Sequence, residues 1–177
     1  SKYYRVTNST HQKEGVVPIV KMRDYYELYD YAEANYKNAL SKDEVVKKVY
    51  YTPSPEFPSG LLQQNSKNRL AANQNYQEMI QVLDTMSQFT DYYDKVPLNI
   101  EAYQKNEKVM SDLFDKLFTA ESYVSESFTV INNKFDAEIM KMSDFRAELN
   151  DKYLEKIQKD LYIGEAYNIL QDYINSK

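Results

Sequence analysis

Apolar residues recur every three or four positions along residues 98–163, a stretch that contains neither Gly nor Pro. This spacing keeps the side chains on one face of an α-helix. Acidic residues also stand four positions before lysines here, an orientation that favours helix formation. The pattern therefore predicts helix over most of this stretch. Its apolar stripe, which is most often part of a core, comprises Ile100, Tyr103, Met110, Leu113, Phe114, Leu117, Phe118, Val124, Phe128, Ile131, Phe135, Ile139, Met142, Phe145, Leu149, Tyr153, Ile157 and Leu161.

An unbroken helix over residues 98–163 would be about 100 Å long at about 1.5 Å per residue. The helices predicted before it cover only about half of that length. The stretch therefore either folds back on itself or pairs with a second chain. Three fold-back candidates stand out: residues 122–129, the pair Asn132-Asn133, and Ser143-Asp144, where Ser143 would be a new N-cap. Gly164 then separates a last apolar piece.

Helix one is predicted to begin near Pro18, which suits a first turn because its missing N–H would have no intrahelical partner there. The sequence from Ser41 to Glu44 has the form of a capping box. Helix one therefore either passes through this point as one long helix or restarts there as a short one. Its predicted core face comprises Val17, Val20, Met22, Tyr25, Leu28, Tyr29, Ala32, Tyr36, Ala39 and Leu40.

A proline-rich connection follows at residues 52–60, which hold three of the five prolines of the chain. A proline lacks a backbone donor and crowds the preceding turn, so this segment cannot continue a helix. Helix two is predicted to run from Leu61 to Tyr93. Its inward residues are predicted to be Leu62, Leu70, Tyr76, Met79, Ile80, Leu83, Met86 and Phe89.

Composition supports an all-α fold. The 177 residues are 42% hydrophobic, enough for a continuous core, and include only three Gly and five Pro. A β-rich chain of this length usually contains more Gly and Pro, because its turns require them. We therefore predict an elongated antiparallel bundle of three or four long helices. Residues 1–15 are polar and aperiodic and are predicted to be a flexible tether, with residues 16–177 forming a single helical-bundle domain.

Charge and residue usage argue against several chemistries. The net charge is −5 and no segment is strongly basic, which argues against nucleic-acid binding. The three scattered glycines cannot form a phosphate-binding loop, and there is no cysteine. His11, the single histidine, lies in the polar arm without metal-ligand spacing. We therefore predict no metal, no cofactor, no catalytic residues and no transmembrane segment.

Tyrosine is unusually frequent, with 18 residues, and Trp is absent from the sequence. The set as a whole is best interpreted as a core boundary, where the rings pack and the hydroxyls reach water. The functional interpretation is an exposed aromatic surface for a protein or glycan partner, since Tyr supplies amphipathic contact area. The candidate partner contacts are Tyr26, Tyr31, Tyr51 and Tyr93.

The order of elements resembles the YiiG-like family of putative bacterial lipoproteins. The likeness rests on a tyrosine-bearing first helix (DYYELYDYAEANY), a second helix ending in FTDYYDKV, and a long acidic helical region (YQKNEKVMSDLFDKLFTAESYVSESFTVINNKF). It covers about residues 20–175. The resemblance implies a helical fold, a location in the bacterial cell envelope or outside the cell, and a lipid anchor upstream of this chain. It supplies no catalytic residues.

These observations favour a non-enzymatic cell-envelope helical module that binds a protein partner. Two alternatives stay open. One is a ligand-binding or carboxylate-using enzyme site inside the bundle, which a buried polar pocket with two or more acids would favour. The other is a coiled-coil-like homodimer that uses the apolar stripe as its seam, because helical spacing alone does not identify the partner of an apolar face.

Overall fold

A computed structural model describes residues 2–29, 31–46, 50, 52, 57–89 and 96–176. Contacts divide the chain into two compact units, residues 1–59 and residues 60–177. Regular secondary structure in the described part is helical, apart from two isolated bridges between Ser9 and Glu44 and between Ser122 and Asp160. The predicted all-α class is therefore confirmed.

Six α-helices follow one another from the start of the second unit. They are shorter than the helices predicted from the sequence, and the longest has 22 residues. Their bounds are α1 Ser59–Ala72, α2 Gln74–Ser87, α3 Ile100–Glu121, α4 Lys134–Met140, α5 Asp144–Gln158 and α6 Leu161–Asn175.

Side-chain caps explain where most of these helices begin. Asn73 Oδ1 accepts a hydrogen bond from Tyr76 N at 3.0 Å and so divides the predicted helix two into α1 and α2. Asn99, Asn133 and Asp160 cap α3, α4 and α6 in the same way. Each carboxyl or amide oxygen satisfies backbone donors of the first turn that have no partner inside the helix.

The core of the second unit lies mainly between α2 and α3. The two helices run antiparallel, because Asn75 at the start of α2 donates to the carbonyl of Ser122 just after α3, at 3.3 Å. Of the predicted inward residues of helix two, Ile80 and Phe89 are half-buried and the other six are buried. The buried apolar residues are Leu62, Leu70, Tyr76, Met79, Leu83, Met86, Met110, Leu113, Leu117, Ala120 and Leu161.

The long stretch folds back where the sequence predicted it. Residues 122–133 are not helical, and α5 follows Ser143. Gln158 holds the non-helical segment, since its amide nitrogen donates to the carbonyls of Ser125 and Phe128, both at 2.9 Å. Its amide oxygen accepts from Val130 N at 2.8 Å. One side chain therefore satisfies three backbone groups that no helix satisfies.

Gly164 does not separate the last helix, and that prediction was wrong. The break lies at Asp160, whose side chain accepts from Ile163 N at 2.9 Å, and Gly164 is buried inside α6. The loop after α3 passes close to it: a Cβ built on Gly164 would lie 3.6 Å from Ser125 Cβ and 4.0 Å from Tyr123 Cδ1.

The apolar stripe is core in one part and exposed in another. Met110, Leu113, Leu117 and Leu161 are buried, as its interpretation as core requires. From Val124 onward most of it is exposed instead, and the residues more than half exposed there are Val124, Ile131, Phe135, Met142, Phe145 and Tyr153. Neither α4 nor α5 contains a buried residue. The physical reason is that α5 turns Ala147, Leu154 and Gln158 inward, all of them half-buried, and this leaves the stripe on another side of the helix.

The predicted helix one is absent from the described part of the first unit. Only two short 3₁₀ turns occur there, Tyr25–Leu28 and Glu33–Asn35. Asp24 caps the first turn, and Tyr29 ends it in an extended conformation. A helix needs tertiary packing of its apolar face, and Val17, Tyr36 and Leu40 of the predicted face are exposed.

The first fifteen residues are bonded to residues 33–45. Thr10 is buried, its N–H donates to the carbonyl of Asp43 at 3.0 Å, and its hydroxyl accepts from Asp43 N at 3.0 Å. The Ser41–Glu44 segment therefore caps no helix and takes part in an isolated bridge instead. The division into a tether of residues 1–15 and a domain of residues 16–177 stays a prediction.

Asp43 binds two side chains of the N-terminal segment. Its carboxylate accepts from Tyr4 Oη at 2.7 Å and from Lys2 Nζ at 3.2 Å. The Tyr4 hydroxyl, followed by Lys2, holds the pKa of Asp43 below its ordinary value of 3.8. Because a lowered carboxyl pKa favours the folded state only while the group is ionised, this stabilisation is present above that ordinary value. It is lost as the pH falls through the lowered pKa.

Replacing Tyr4 with Phe should therefore raise the pKa of Asp43, because the hydrogen bond from the Tyr4 hydroxyl is the largest single cause of the lowered pKa. Replacing Lys2 with Met should raise this pKa as well, since it removes both a hydrogen bond and a positive charge. Carboxyl-carbon NMR titration of Asp43 in both variants measures the effect. An unchanged pKa in Tyr4→Phe would show that the tyrosine does not stabilise the ionised carboxyl.

Replacing Gly164 with Ala should raise the free energy of unfolding by about 0.5–1 kcal/mol, because Ala favours helix and its Cβ fits at ordinary contact distance. Gly164→Leu should instead lower it by about 1–3 kcal/mol, because atoms beyond Cβ would have to displace Ser125 and Tyr123, which already lie at contact distance from that position. Urea denaturation measures both changes. Gly60, which has open space around it in α1, is the matched control and should tolerate Leu.

Candidate functional site

Four tyrosines of the first unit form one aromatic cluster, named the tyrosine cluster: Tyr25, Tyr26, Tyr29 and Tyr31. Tyr29 and Tyr31 are stacked, with ring centroids 5.1 Å apart, and Tyr25 meets Tyr29 edge-on at 4.9 Å. The hydroxyls of Tyr25 and Tyr29 are also in contact. The 3₁₀ turn holds Tyr25 and Tyr26, and Tyr29 ends it in an extended conformation.

Two of the predicted partner contacts belong to this cluster. The ring centroids of Tyr26 and Tyr31 lie 6.4 Å apart, and the side chains are 67% and 62% exposed. Tyr51 and Tyr93 lie outside the described residues. Exposed rings supported by other rings offer a firm apolar surface with hydroxyls at its edge, which suits contact with a protein or a glycan. Their role as partner contacts stays a prediction.

Two acids of the second unit meet at one arginine. Arg69 on α1 donates from Nη2 and Nε to Glu165 on α6, at 2.7 and 3.1 Å, and from Nη1 to Asp172 at 2.6 Å. Glu165 is only 6% exposed. These bonds, that to Glu165 first, raise the pKa of Arg69 although burial opposes the shift. The arrangement braces α1 against α6 as a charge-assisted network.

A cavity of about 470 Å³ opens beside this network at the junction of α1, α2 and α6. Its lining combines Arg69 and Glu165 with the amides of Asn73, Asn75 and Asn168. Asn73 and Asn75 already bond to the backbone, as the cap of α2 and as the donor to Ser122. The lining therefore combines polar and apolar groups, and Glu165, an acid of its wall, is engaged by Arg69.

Other chemical features of the described residues are few. His11 Nε2 accepts from Arg5 Nη1 at 3.1 Å. Among residues that the structure describes, no group of three His, Cys, Asp or Glu side chains is placed to hold a metal ion. Over the same residues, no helix combines the length and the apolar character that crossing a membrane requires.

The network around Arg69 was not predicted from the sequence. A signal was present, since Glu165 and Asp172 stand seven positions apart and so share a face of one helix. Their partner Arg69 could not be predicted, because it lies 96 residues before Glu165 in the chain. Only the packing of α1 against α6 brings these residues together.

Comparison with known proteins gives one family. Residues 26–175 match the model described as the C-terminal domain of tail specific protease (DUF3340). No curated protein and no solved structure matches the chain. The match extends from Tyr26 through all six helices and so covers most of the chain. It gives no support to the YiiG-like resemblance, which was based on pattern and scattered residues.

Replacing Arg69 with Met should lower the free energy of unfolding by about 3 kcal/mol, because it leaves a buried carboxylate without its partner. The double variant Arg69→Met/Glu165→Leu should recover much of that loss, since no unpaired charge then stays buried. Chemical denaturation at pH 7 measures both.

Lys152→Met is the matched control, because Lys152 pairs with Glu148 on the exposed surface of α5. We expect that change to stay within about 0.5 kcal/mol. An Arg69→Met loss no larger than that of the control would show that the network does not brace the helices.

Proposed function

This chain belongs to the family of C-terminal domains of tail-specific proteases, and from that premise we propose that it is a non-catalytic helical module of a cell-envelope protease that binds a protein partner. The family description supports a role separate from catalysis, because it names the matched region as a domain at the C-terminus of a protease. The all-α architecture supports it too, since helices packed around an apolar core are a common scaffold for binding surfaces.

The proposal rests on the positions of the acidic and the large apolar side chains. Glu165 and Asp172 are bound by Arg69 and serve packing. Glu155 is paired with Lys159, and Asp160 caps α6. Large apolar side chains, in contrast, lie outward in both units. An exposed apolar surface of this extent is typical of protein–protein contact, because it is costly to leave in water.

Tyr26 and Tyr31 are the proposed contacts in the first unit. Both rings are exposed, and stacking within the tyrosine cluster limits their freedom before a partner arrives. Binding then costs little additional side-chain entropy. Tyr and other aromatic residues are enriched at protein interfaces for the same reason.

Site-specific photo-cross-linking tests this proposal in the source cells. A photoreactive phenylalanine analogue at position 26 or 31 should yield the same protein adduct, in the envelope fraction, because both rings lie on one cluster. The control is position 3, since Tyr3 is exposed and lies outside the cluster. The proposal fails if neither position gives an adduct, or if position 3 gives the same one.

A hydrolysis assay addresses the enzyme alternative. The purified chain, incubated alone with casein, should leave that substrate intact. Cleavage that Glu165→Gln abolishes, in a variant that retains its helical circular dichroism, would favour a carboxylate-using site in the cavity beside Arg69. That outcome would overturn the non-catalytic role.

A further inference from the structure

Helix α5 turns four large apolar side chains to solvent. Phe145, Leu149, Tyr153 and Ile157 follow one another at four-residue steps, and their exposed fractions are 73%, 42%, 59% and 39%. Residues at this spacing neighbour one another along one side of a helix. We name these four residues the α5 face. A continuous apolar strip of this kind differs from the single exposed apolar residues that every surface carries.

Two cations border the α5 face. Arg146 precedes Leu149 by three positions and Lys156 follows Tyr153 by three, so both lie on the same side of the helix as the apolar residues. Both side chains are exposed, and neither forms an ion pair among the residues that the structure describes. Lys152 and Lys159 of the same region, by contrast, are paired with Glu148 and Glu155.

A groove of about 430 Å³ lies beside the α5 face, and Lys156 belongs to its lining. The lining also includes Phe118 of α3, which is 63% exposed, and Tyr162 of α6. Its charged residues balance, since the lining holds three lysines and three acids: Lys152, Lys156, Lys159, Glu121, Glu155 and Asp160. The groove therefore adds aromatic surface next to the α5 face, while selection of a partner by charge rests on Arg146 and Lys156.

From the two exposed cations beside these apolar residues we infer that the α5 face binds an amphipathic helix of another protein, one whose apolar side is bordered by Glu or Asp. The inference rests on the proposed function and names the chemistry of the partner. Apolar side chains would cover the α5 face, and carboxylates would pair with Arg146 and Lys156. Complementary charge beside an apolar helix face would select the partner.

A second copy of the chain fits this surface poorly. In an antiparallel pairing of two α5 helices centred on the face, Phe145 meets the partner's Ile157. Arg146 then lies opposite the partner's Lys156, and a parallel pairing sets each cation against its own copy. Like charges placed opposite one another are destabilising. An anionic membrane also fits poorly, because the chain carries a net charge of −5.

Two synthetic helical peptides test the inference against the full chain by fluorescence anisotropy. Both carry Leu at four-residue steps, bordered by Glu in one peptide and by Lys in the other. The Glu peptide should bind at least about tenfold more tightly than the Lys peptide. The double variant Arg146→Glu/Lys156→Glu should reverse that preference, and Leu149→Gln should weaken the binding of both peptides.

The matched control is Lys67→Glu/Lys108→Glu, which reverses two exposed lysines on α1 and α3 and should leave the preference unchanged. Equal binding of both peptides would overturn the inference. So would a doubled solution mass of the chain, which would identify a second copy on the face. Preferential binding to phosphatidylglycerol vesicles that the Glu peptide does not compete would identify a membrane and would also overturn it.

The proposed function and this inference fail in distinguishable ways. Peptide binding without cross-links at positions 26 and 31 would contradict the tyrosine contacts and leave the α5 face supported. Cross-links at those positions without peptide preference would contradict the α5 inference alone. The retained helical circular dichroism of every variant shows that an effect on binding does not come from unfolding.

Discussion

The second unit depends on the pairing of Arg69 with Glu165, which joins its first helix to its last across 96 residues of chain. Glu165 is nearly fully buried, so its charge is tolerated only because the guanidinium supplies two hydrogen bonds and an opposite charge. Asp172 extends the same contact along α6. The apolar packing of α2 against α3 then forms a core that this network closes at one side.

That constraint also decides which part of the unit is available for function. Two acids on one helix face could indicate a reaction site, but Glu165 and Asp172 bind Arg69 and hold α6 against α1. The side chains left outward on α5 are apolar and bordered by Arg146 and Lys156. This arrangement supports the proposed role in protein recognition.

Local sequence signals predicted much of the second unit. Asn133 marked the start of α4 because its side chain replaces missing backbone partners. Ser143 stands before α5 as predicted, but its side chain forms no cap hydrogen bond. The inward face of helix two followed from apolar spacing, and Leu62, Met79 and Leu83 are fully buried. The cap at Asn73 was missed, since an Asn inside an Asn- and Gln-rich helix has no distinctive pattern of its own.

The sequence by itself determined the all-α class, the places where the long stretch folds back and the residues that face the core from α1 and α2, because these depend on interactions within a few turns of chain. Tertiary structure decided the rest. It left helix one unformed because its apolar face gained too little burial. It placed Gly164 inside α6 against Ser125. It also left most of the apolar stripe from Val124 onward exposed, because tertiary packing selects the partner of an apolar face and helical spacing does not encode that choice.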